Sequence, residues 1–315
     1  MCNVGRLKKL QTHPDQPASA TPRRTDSPDG SRQNSRDEDL AKEEQHGVPF
    51  VEQMAKVLGV IPAHLESIRL PRKLLRPLCG RPMLAWVYDR ARRAPSLDAL
   101  VVATDSEEVL EVCRLNNIPA AMTSSEHHSG TDRVFEVMSR ALMSGSPDDV
   151  YVNIQGDEPM ITPGHLELLL GPFRSSEPDI QTQVSTLKVA IGGDGARNPN
   201  NVKVVTDLRG RALYFSRAPI PHDRDGSGRA RYYKHLGLYA YTADALEKFH
   251  GLPPSELELT EKLEQLRFLE NGIPVTVIET SQDTIGVDTE EDFRKVEEYF
   301  RGILNHHPSG GGNRQ

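Results

Sequence analysis

The sequence predicts an α/β fold whose sheet is mixed but mostly parallel and is flanked by helices, and three observations carry that expectation. Short β-branched runs alternate with stretches of helical apolar spacing from Val57 onward, as strand–helix–strand units do. From Gln181 to Ser216 the alternation stops and β-type stretches follow one another, which calls for a smaller β-rich subregion. The central apolar run, V-Y-V-N-I-Q-G-D-E-P at Val150–Pro159, ends abruptly in glycine and two acids, and the rest of the chain is arranged around it.

Taken in order, Val57–Ala63 (V-L-G-V-I-P-A) reads as a strand, and the loop after it places Arg69, Arg72 and Lys73 within five residues. Pro82 suits the first turn of a helix in which Leu84, Val87, Tyr88 and Ala91 share a face. A second unit follows: strand Ala99–Thr104, then Asp105 or Ser106 as the cap of helix Glu107–Asn116. The extended piece Ala120–Thr123 runs into S-S-E-H-H-S-G-T-D-R, after which Val134, Val137, Met138, Ala141 and Leu142 keep helical spacing. The Ser-Gly-Thr entry leaves backbone amides free at a helix N-terminus. Beyond the central strand come a helix at Pro163–Phe173 and β stretches Gln181–Ala190, Val202–Thr206 and Ala212–Ser216. The last two are joined by the hairpin-like D-L-R-G-R. Such a projecting ribbon suggests a dimer contact. Tyr232–Tyr241 is a strand with Lys234, Leu236, Leu238 and Ala240 on one face and His235, Gly237, Tyr239 and Tyr241 on the other. Glu256–Leu269 reads as one amphipathic helix with a Leu259, Leu263, Leu266, Leu269 stripe and Glu264 and Gln265 beside it. Pro274–Ile278 is the last strand, and Thr289–Asp292 forms a capping box that opens helix Phe293–Ile303.

Composition bounds the class. Residues 1–55 are polar, rich in Pro, Ser, Arg and Asp, and are expected to be a disordered tail. Residues 305–315 are expected to be a second such tail, leaving 56–304 as one catalytic-sized domain. The net charge of −7 gives no overall footprint for nucleic acid, although Arg69, Arg72, Lys73, Arg76 and Arg81 crowd together. No apolar run approaches the roughly 20 residues that span a bilayer, and no signal-peptide core opens the chain. Cys2, Cys79 and Cys113 lack metal-ligand spacing; the expectation is a soluble cytoplasmic protein with no membrane partner.

The candidate chemistry lies at strand ends. Asp157 leaves the central strand at the carboxyl edge of the sheet, where a hard divalent ion such as Mg²⁺ and substrate phosphates would suit it; an acid-capped turn fits the same residues. Arg69 and Lys73 would hold phosphate oxygens, or belong to a solvated basic loop. The required glycines of a Walker or G-x-G-x-x-G loop are absent. His127 and His128 have no third metal partner nearby. The His235, Gly237, Tyr239, Tyr241 face suits a sugar or sugar acid, or simple packing. Asp288 is either a local helix-start residue or a second carboxylate brought to Asp157 by the fold.

Eight ordered motifs then carry a resemblance: V-I-P-A-x-x-x-S-I-R-L-P-R-K, H-x-S-G-T-D-R from His127, V-N-I-Q-G-D-E-P, N-P-N-N-V-K-V-V from Asn198, Y-F-S-R-A-P-I-P from Tyr214, K-H-L-G-L-Y-A-Y, L-E-Q-L-R and G-V-D-T-E-E-D. Over about residues 57–301 the chain resembles the 3-deoxy-manno-octulosonate cytidylyltransferases. The resemblance implies a Rossmann-like nucleotide-diphospho-sugar transferase fold, usually a homodimer. It also implies that CTP and 3-deoxy-D-manno-octulosonate (Kdo) react with Mg²⁺ present to give CMP-Kdo and pyrophosphate for lipopolysaccharide assembly. Matched motif by motif, Lys73, Asp157 and Asp288 are the catalytic residues, the two aspartates as metal ligands. Arg69 and Lys73 match the triphosphate cations, and Ser129, Gly130, Thr131, Arg133 and Gln155 match the cytidine side. Arg217, His235, Tyr239, Glu264 and Gln265 match the sugar-acid pocket, with Arg217 facing the sugar carboxylate. His64 stands where the family usually has the arginine of P-A-R, and Arg72 where it has the glycine of P-G-K. The rival expectations are a cytidylyltransferase for a sialic acid or an amino analogue of Kdo, and a catalytically impaired nucleotide-binding homologue.

Overall fold

In the computed structural model, which describes residues 56–67, 69–127, 129–140, 145–174 and 182–306, the described strands build one nine-stranded sheet and a separate two-stranded ribbon. The strands in chain order are β1 (Val57–Ala63), β2 (Pro77–Leu78), β3 (Arg81–Pro82), β4 (Ala99–Thr104), β5 (Ala120–Met122), β6 (Val150–Asn153), β7 (Val184–Ile191), β8 (Lys203–Thr206), β9 (Ala212–Ser216), β10 (Tyr232–Thr242) and β11 (Val275–Thr280). The main order is β11-β7-β10-β6-β1-β4-β5, with β8 joined to β10 and β9 to β8, while β2 and β3 pair with each other. β1 runs parallel to β4 and β6, as does β4 to β5 and β11 to β7; β10 runs antiparallel to both β6 and β7.

The helices are α1 (Met83–Ala91), α2 (Glu107–Leu115), α3 (Gly130–Ser139), α4 (Pro163–Leu170), α5 (Gly193–Arg197), α6 (Ala243–Gly251), α7 (Glu256–Glu261), α8 (Gln265–Glu270) and α9 (Glu290–His306). Period-two alternation sends Val150 and Val152 to one apolar cluster with Leu84 of α1, Val109 of α2, Leu166 of α4 and Phe300 of α9. Tyr151 goes to a second cluster with Val137 of α3, Phe249 of α6 and Phe268 of α8. Each such fully buried aliphatic side chain contributes about 1.5–3 kcal/mol, which is why β6, buried on both faces, anchors the molecule.

Local chemistry sets the ends. Ser129 accepts a hydrogen bond from the Asp132 amide at 3.1 Å and caps α3. The Thr289 amide donates to Asp292 at 3.0 Å while the Asp292 amide donates to Thr289 Oγ1 at 3.2 Å, so the expected reciprocal cap opens α9. In the β8–β9 hairpin the Asp207 carboxylate accepts from the amides of Arg209 and Arg211, and Gly210 supplies a φ of 78°.

Several expectations are corrected. Ser106 caps α2, and Asp105 instead pairs with Arg133 and His64. The stretch Glu256–Leu269 is two helices, because Lys262 adopts φ 55° and turns the chain; Leu259 is consequently exposed while Leu263 and Leu266 are buried. α6 was not foreseen. β10 carries a bulge: Leu236 pairs with Leu187 but Tyr239 with Thr186, leaving Gly237 and Leu238 as extra residues. α9 runs from Glu290 to His306, beyond the expected Phe293–Ile303 at both ends. The two polar tails (1–55 and 307–315), His128, Ala141, Leu142 and Gln181 lie outside the described residues.

Candidate active site

Two distant stretches meet beyond the carboxyl end of β6. A side chain at Gly156 would place its Cβ 3.0 Å from the Pro62 carbonyl, so the close approach of these two backbones favours glycine there. The next residue, Asp157, accepts the Val287 amide on its backbone carbonyl at 2.9 Å, which brings Asp288 alongside. Lys73 begins a single 3₁₀ turn, Lys73–Leu75, seated by the buried Leu74. Its ammonium donates to Asp157 Oδ2 at 2.6 Å and to Asp288 Oδ1 at 2.9 Å, and Arg69 pairs with Asp288 Oδ2 at 2.9 Å. Burial opposes the charge on Lys73, but the Asp157 and Asp288 carboxylates outweigh it and hold its pKa above the usual lysine value. Burial likewise acts to raise Asp288; Lys73 and Arg69 outweigh it and hold that carboxyl below its usual range.

The crowded cations divide by partner. Arg72, with φ 57°, pairs with Glu108. Arg76 pairs with Glu290 at 2.6 Å and lies 4.2 Å from the Phe293 ring centroid, and Arg81 pairs with Asp89 at 2.7 Å. Arg69 and Lys73 are the members of the cluster that turn to the aspartates.

A cavity of about 920 Å³ opens beside this centre. Arg69, Gly130, Thr131, Gln155, Arg217, His235, Tyr239, Glu264, Gln265 and Asp288 line it. Lys73, Asp157, Ser129 and Arg133 do not line the cavity, the first two reaching its rim through Asp288. Arg133 is buried and donates to Asp105 at 3.0 Å, to the Ser124 carbonyl at 3.2 Å and to Thr123. Burial acts to raise the Asp105 pKa, but the Arg133 charge and the His64 hydrogen bond at 2.8 Å bring it below its ordinary value. His64 therefore props the carboxylate that orients Arg133.

At the other end burial disfavours the charged forms of His235, Tyr239 and Glu264. Burial pushes His235 down to about 3. Thr186 Oγ1 lies 3.0 Å from His235 Nε2, 2.8 Å from the Leu238 carbonyl and 3.2 Å from the Leu236 carbonyl. Among the described residues the buried Tyr239 hydroxyl has no partner in good hydrogen-bond geometry, Thr186 being its polar neighbour, and burial holds its pKa well above the usual phenol value. Glu264 accepts from Thr131 Oγ1 at 3.0 Å and is raised by burial, which ties the α8 side of the cavity to the entry of α3. The Arg217 guanidinium donates to the carbonyls of Glu261 at 2.8 Å, Pro199 at 3.2 Å and Lys262 at 3.4 Å.

Sequence reasoning missed three groups in this wall. Glu158, next to Asp157, is buried and pushed up to about 7, by burial first and by the Asp157 charge second; Thr284 Oγ1 donates to it at 2.9 Å. Lys234 donates to Asp283 at 2.9 Å and to the Thr284 carbonyl at 2.8 Å, and Asn198, Asn200 and Asn201 line the cavity from the turn before β8. The acid pair at 157–158 and the N-P-N-N run were the available signals.

A half-exposed cluster of two carboxylates and two cations at the carboxyl edge of a mixed sheet, opening on a deep polar cavity, defines a nucleotide-handling α/β transferase class. A family model described as cytidylyltransferase matches residues 58–281, and the chain belongs to that family. It is 56% identical over 242 residues to the 3-deoxy-manno-octulosonate cytidylyltransferase of Acidobacterium capsulatum, covering 77% of this chain and 95% of that one. The enzyme of the same name from Koribacter versatilis is 53% identical over 246 residues, covering 78% and 90%. A solved CMP:2-keto-3-deoxy-manno-octonic acid synthetase complexed with CTP superposes with a TM-score of 0.74 at 41% identity, covering 79% of this chain and all of that one.

Proposed function

We propose that the chain transfers CMP from CTP to the anomeric hydroxyl of Kdo, giving CMP-Kdo and pyrophosphate. The observation that carries this reading is the meeting of Lys73, Asp157, Asp288 and Arg69 at one end of a cavity whose other end carries Arg217 and the hydrogen-bonding groups of His235, Tyr239, Glu264 and Gln265. The first suits a triphosphate and the second a hydroxyl-rich sugar acid. The relatives named above act in the same reaction class, which supports the choice of substrates.

Arg69 as a planar fork and Lys73 as a point charge would exchange their carboxylate partners for triphosphate oxygens. That exchange frees Asp157 and Asp288, whose hard oxygen donors fit Mg²⁺. Among the described residues no cluster of three or more ligating side chains surrounds them, so phosphate oxygens and water would complete the shell. The ion, when bound, neutralises charge on the phosphate oxygens. The protein's own part is positioning, which can supply about 7–11 kcal/mol of the barrier in well-oriented reactions. Gly130 and Thr131 hold the cytidine side at the start of α3, with Gln155 opposite. Arg217 is placed for the sugar carboxylate, and its two longer hydrogen bonds, to Pro199 and Lys262, are the ones it can exchange. His235, Tyr239, Glu264 and Gln265 orient the hydroxyls so that the anomeric oxygen faces the α-phosphorus. The new C–O–P bond forms as the α–β bridging P–O bond breaks, the hydroxyl proton is released and pyrophosphate leaves.

The same reading makes the protein a cytoplasmic enzyme of lipopolysaccharide assembly. No described helix is long and apolar enough to cross a membrane. It also makes the protein a homodimer, with the exposed Leu208 and Leu213 of the β8–β9 hairpin offering a contact surface. Pyrophosphate release by the full chain with CTP, Mg²⁺ and a panel of Kdo, a sialic acid and an amino analogue of Kdo tests the substrate. Release with Kdo is expected. Release only with another sugar acid would displace Kdo, and CTP binding without turnover would displace the enzyme reading.

A further inference from the structure

We infer that Lys203 is a positioning residue for the sugar-acid end of the cavity, holding from behind the wall that carries Arg217. The inference rests on the function proposed above. Lys203 lies in β8 with no exposed surface and does not line the cavity. Its ammonium has three protons, and three backbone carbonyls receive them: Asn198 at 3.1 Å, Asn201 at 2.6 Å and Arg217 at 2.5 Å. Those carbonyls belong to two separate segments, the Asn198–Asn201 turn before β8 and the end of β9, and both segments line the cavity. The Asn201 amide closes that turn onto the Asn198 carbonyl at 3.1 Å, and Arg217 Nη1 reaches the Pro199 carbonyl of the same turn at 3.2 Å.

One buried charge therefore ties together the asparagine turn and the backbone of the arginine that faces the sugar acid. Glu261 holds the same segment from the other side, accepting from the Arg217 amide at 2.9 Å and from Ser216 Oγ at 2.6 Å. An apolar side chain would fill the site but take the ammonium donor from the Asn201 and Arg217 carbonyls, leaving the Asn198 carbonyl only the Asn201 amide, and the two segments would separate to find water. Burial, with the nearby Arg217 charge second, pushes the Lys203 pKa down, and the Glu261 carboxylate acts the other way.

Lys203→Met and Lys203→Arg in the full chain, compared with wild type for the KM of Kdo, the KM of CTP and Tm, test the inference. In Lys203→Met the KM for Kdo is expected to rise about tenfold or more while the KM for CTP stays within about twofold, since small misplacements of binding groups cost that much. Lys203→Arg is expected to regain most of the lost Tm yet keep a raised KM for Kdo, because a planar fork cannot converge three protons on these carbonyls. A Lys203→Arg enzyme with lowered Tm and the wild-type KM for Kdo overturns the inference, as does a folded Lys203→Met enzyme with both constants unchanged. Hydrogen exchange supplies the independent reading. Faster exchange confined to residues 198–203 and 216–218 supports it, and unchanged exchange there overturns it. Should wild type release no pyrophosphate with Kdo, the proposed function fails while hydrogen exchange still decides the role of Lys203.

Discussion

At the phosphate end of the cavity, Lys73, Asp157, Asp288 and Arg69 are charged, mutually paired and partly open to water; at the sugar-acid end, His235, Tyr239 and Glu264 are enclosed by β7, β10 and α8, where burial favours their neutral forms. The first end stores its cations against carboxylates until a more highly charged ligand arrives. The second disfavours charge on its hydrogen-bonding groups and, among the described residues, leaves the Tyr239 hydroxyl without a well-aligned partner, so that a hydroxyl-bearing ligand would complete it. Substitutions at the two ends should therefore fail differently: charge changes at the first should depress turnover, whereas polar deletions at the second should weaken sugar binding and leave stability alone or improve it.

The largest effect is expected for Asp157→Asn and Asp288→Asn, each lowering kcat/KM by about 10²–10³, the range measured when one group serving transition-state charge is removed. Steady-state pyrophosphate release reads this directly, and a loss confined to the KM for Kdo would break the comparison. Next is acid stability. His235 has its pKa depressed by burial to about 3 against about 6.5 when unfolded, so the unfolded chain binds a proton that the folded chain refuses. The stabilisation is full above about pH 6.5 and is lost progressively as pH falls toward 3, by on the order of a few kcal/mol. Chemical denaturation of wild type and His235→Gln at pH 7 and pH 4.5 measures it, and an equal acid loss in both chains would assign the pH dependence elsewhere.

Tyr239→Phe sharpens the contrast further. Its hydroxyl has no well-aligned partner among the described residues, so deleting it should leave Tm unchanged or raised while increasing the KM for Kdo by roughly fivefold to tenfold, the size of one lost hydrogen bond. The smallest effect belongs to the basic loop. Arg72 holds φ 57°, a conformation costing a non-glycine residue about 1 kcal/mol or more, against an exposed Glu108 pair worth less than about 1 kcal/mol. Arg72→Gly should therefore raise Tm by at most a few degrees, with kcat unchanged, as differential scanning calorimetry and kinetics would record.

How much of this was legible depended on how local its cause was. The strand ending at Gly156 and the Thr289–Asp292 cap are written in neighbouring residues, and each brought its aspartate to a strand or helix end. That Lys73 lies between carboxylates 84 and 215 positions away depends on the parallel β1–β6 pairing and on the Val287 amide, which no spacing rule reports. Helical periodicity ran straight through Lys262, where a single left-handed residue splits the helix and sends Glu264 and Gln265 into the cavity wall. α6 escaped notice because it follows β10 without a loop, although Thr242 as a cap and Ala245, Leu246 and Phe249 at helical spacing were there to be read. Lys203 lies within the N-P-N-N-V-K-V-V motif, but its three carbonyl partners come from segments that only the fold brings together.

The proposed reaction requires Asp157 and Asp288 to act as one centre with Lys73. A double-mutant cycle on kcat/KM with Asp157→Asn, Asp288→Asn and the combined variant tests this most directly. Groups that act as a unit are strongly non-additive, so the combined variant is expected within about tenfold of the weaker single variant. A combined loss equal to the product of the two single losses would mean that the two carboxylates work independently and would contradict the account.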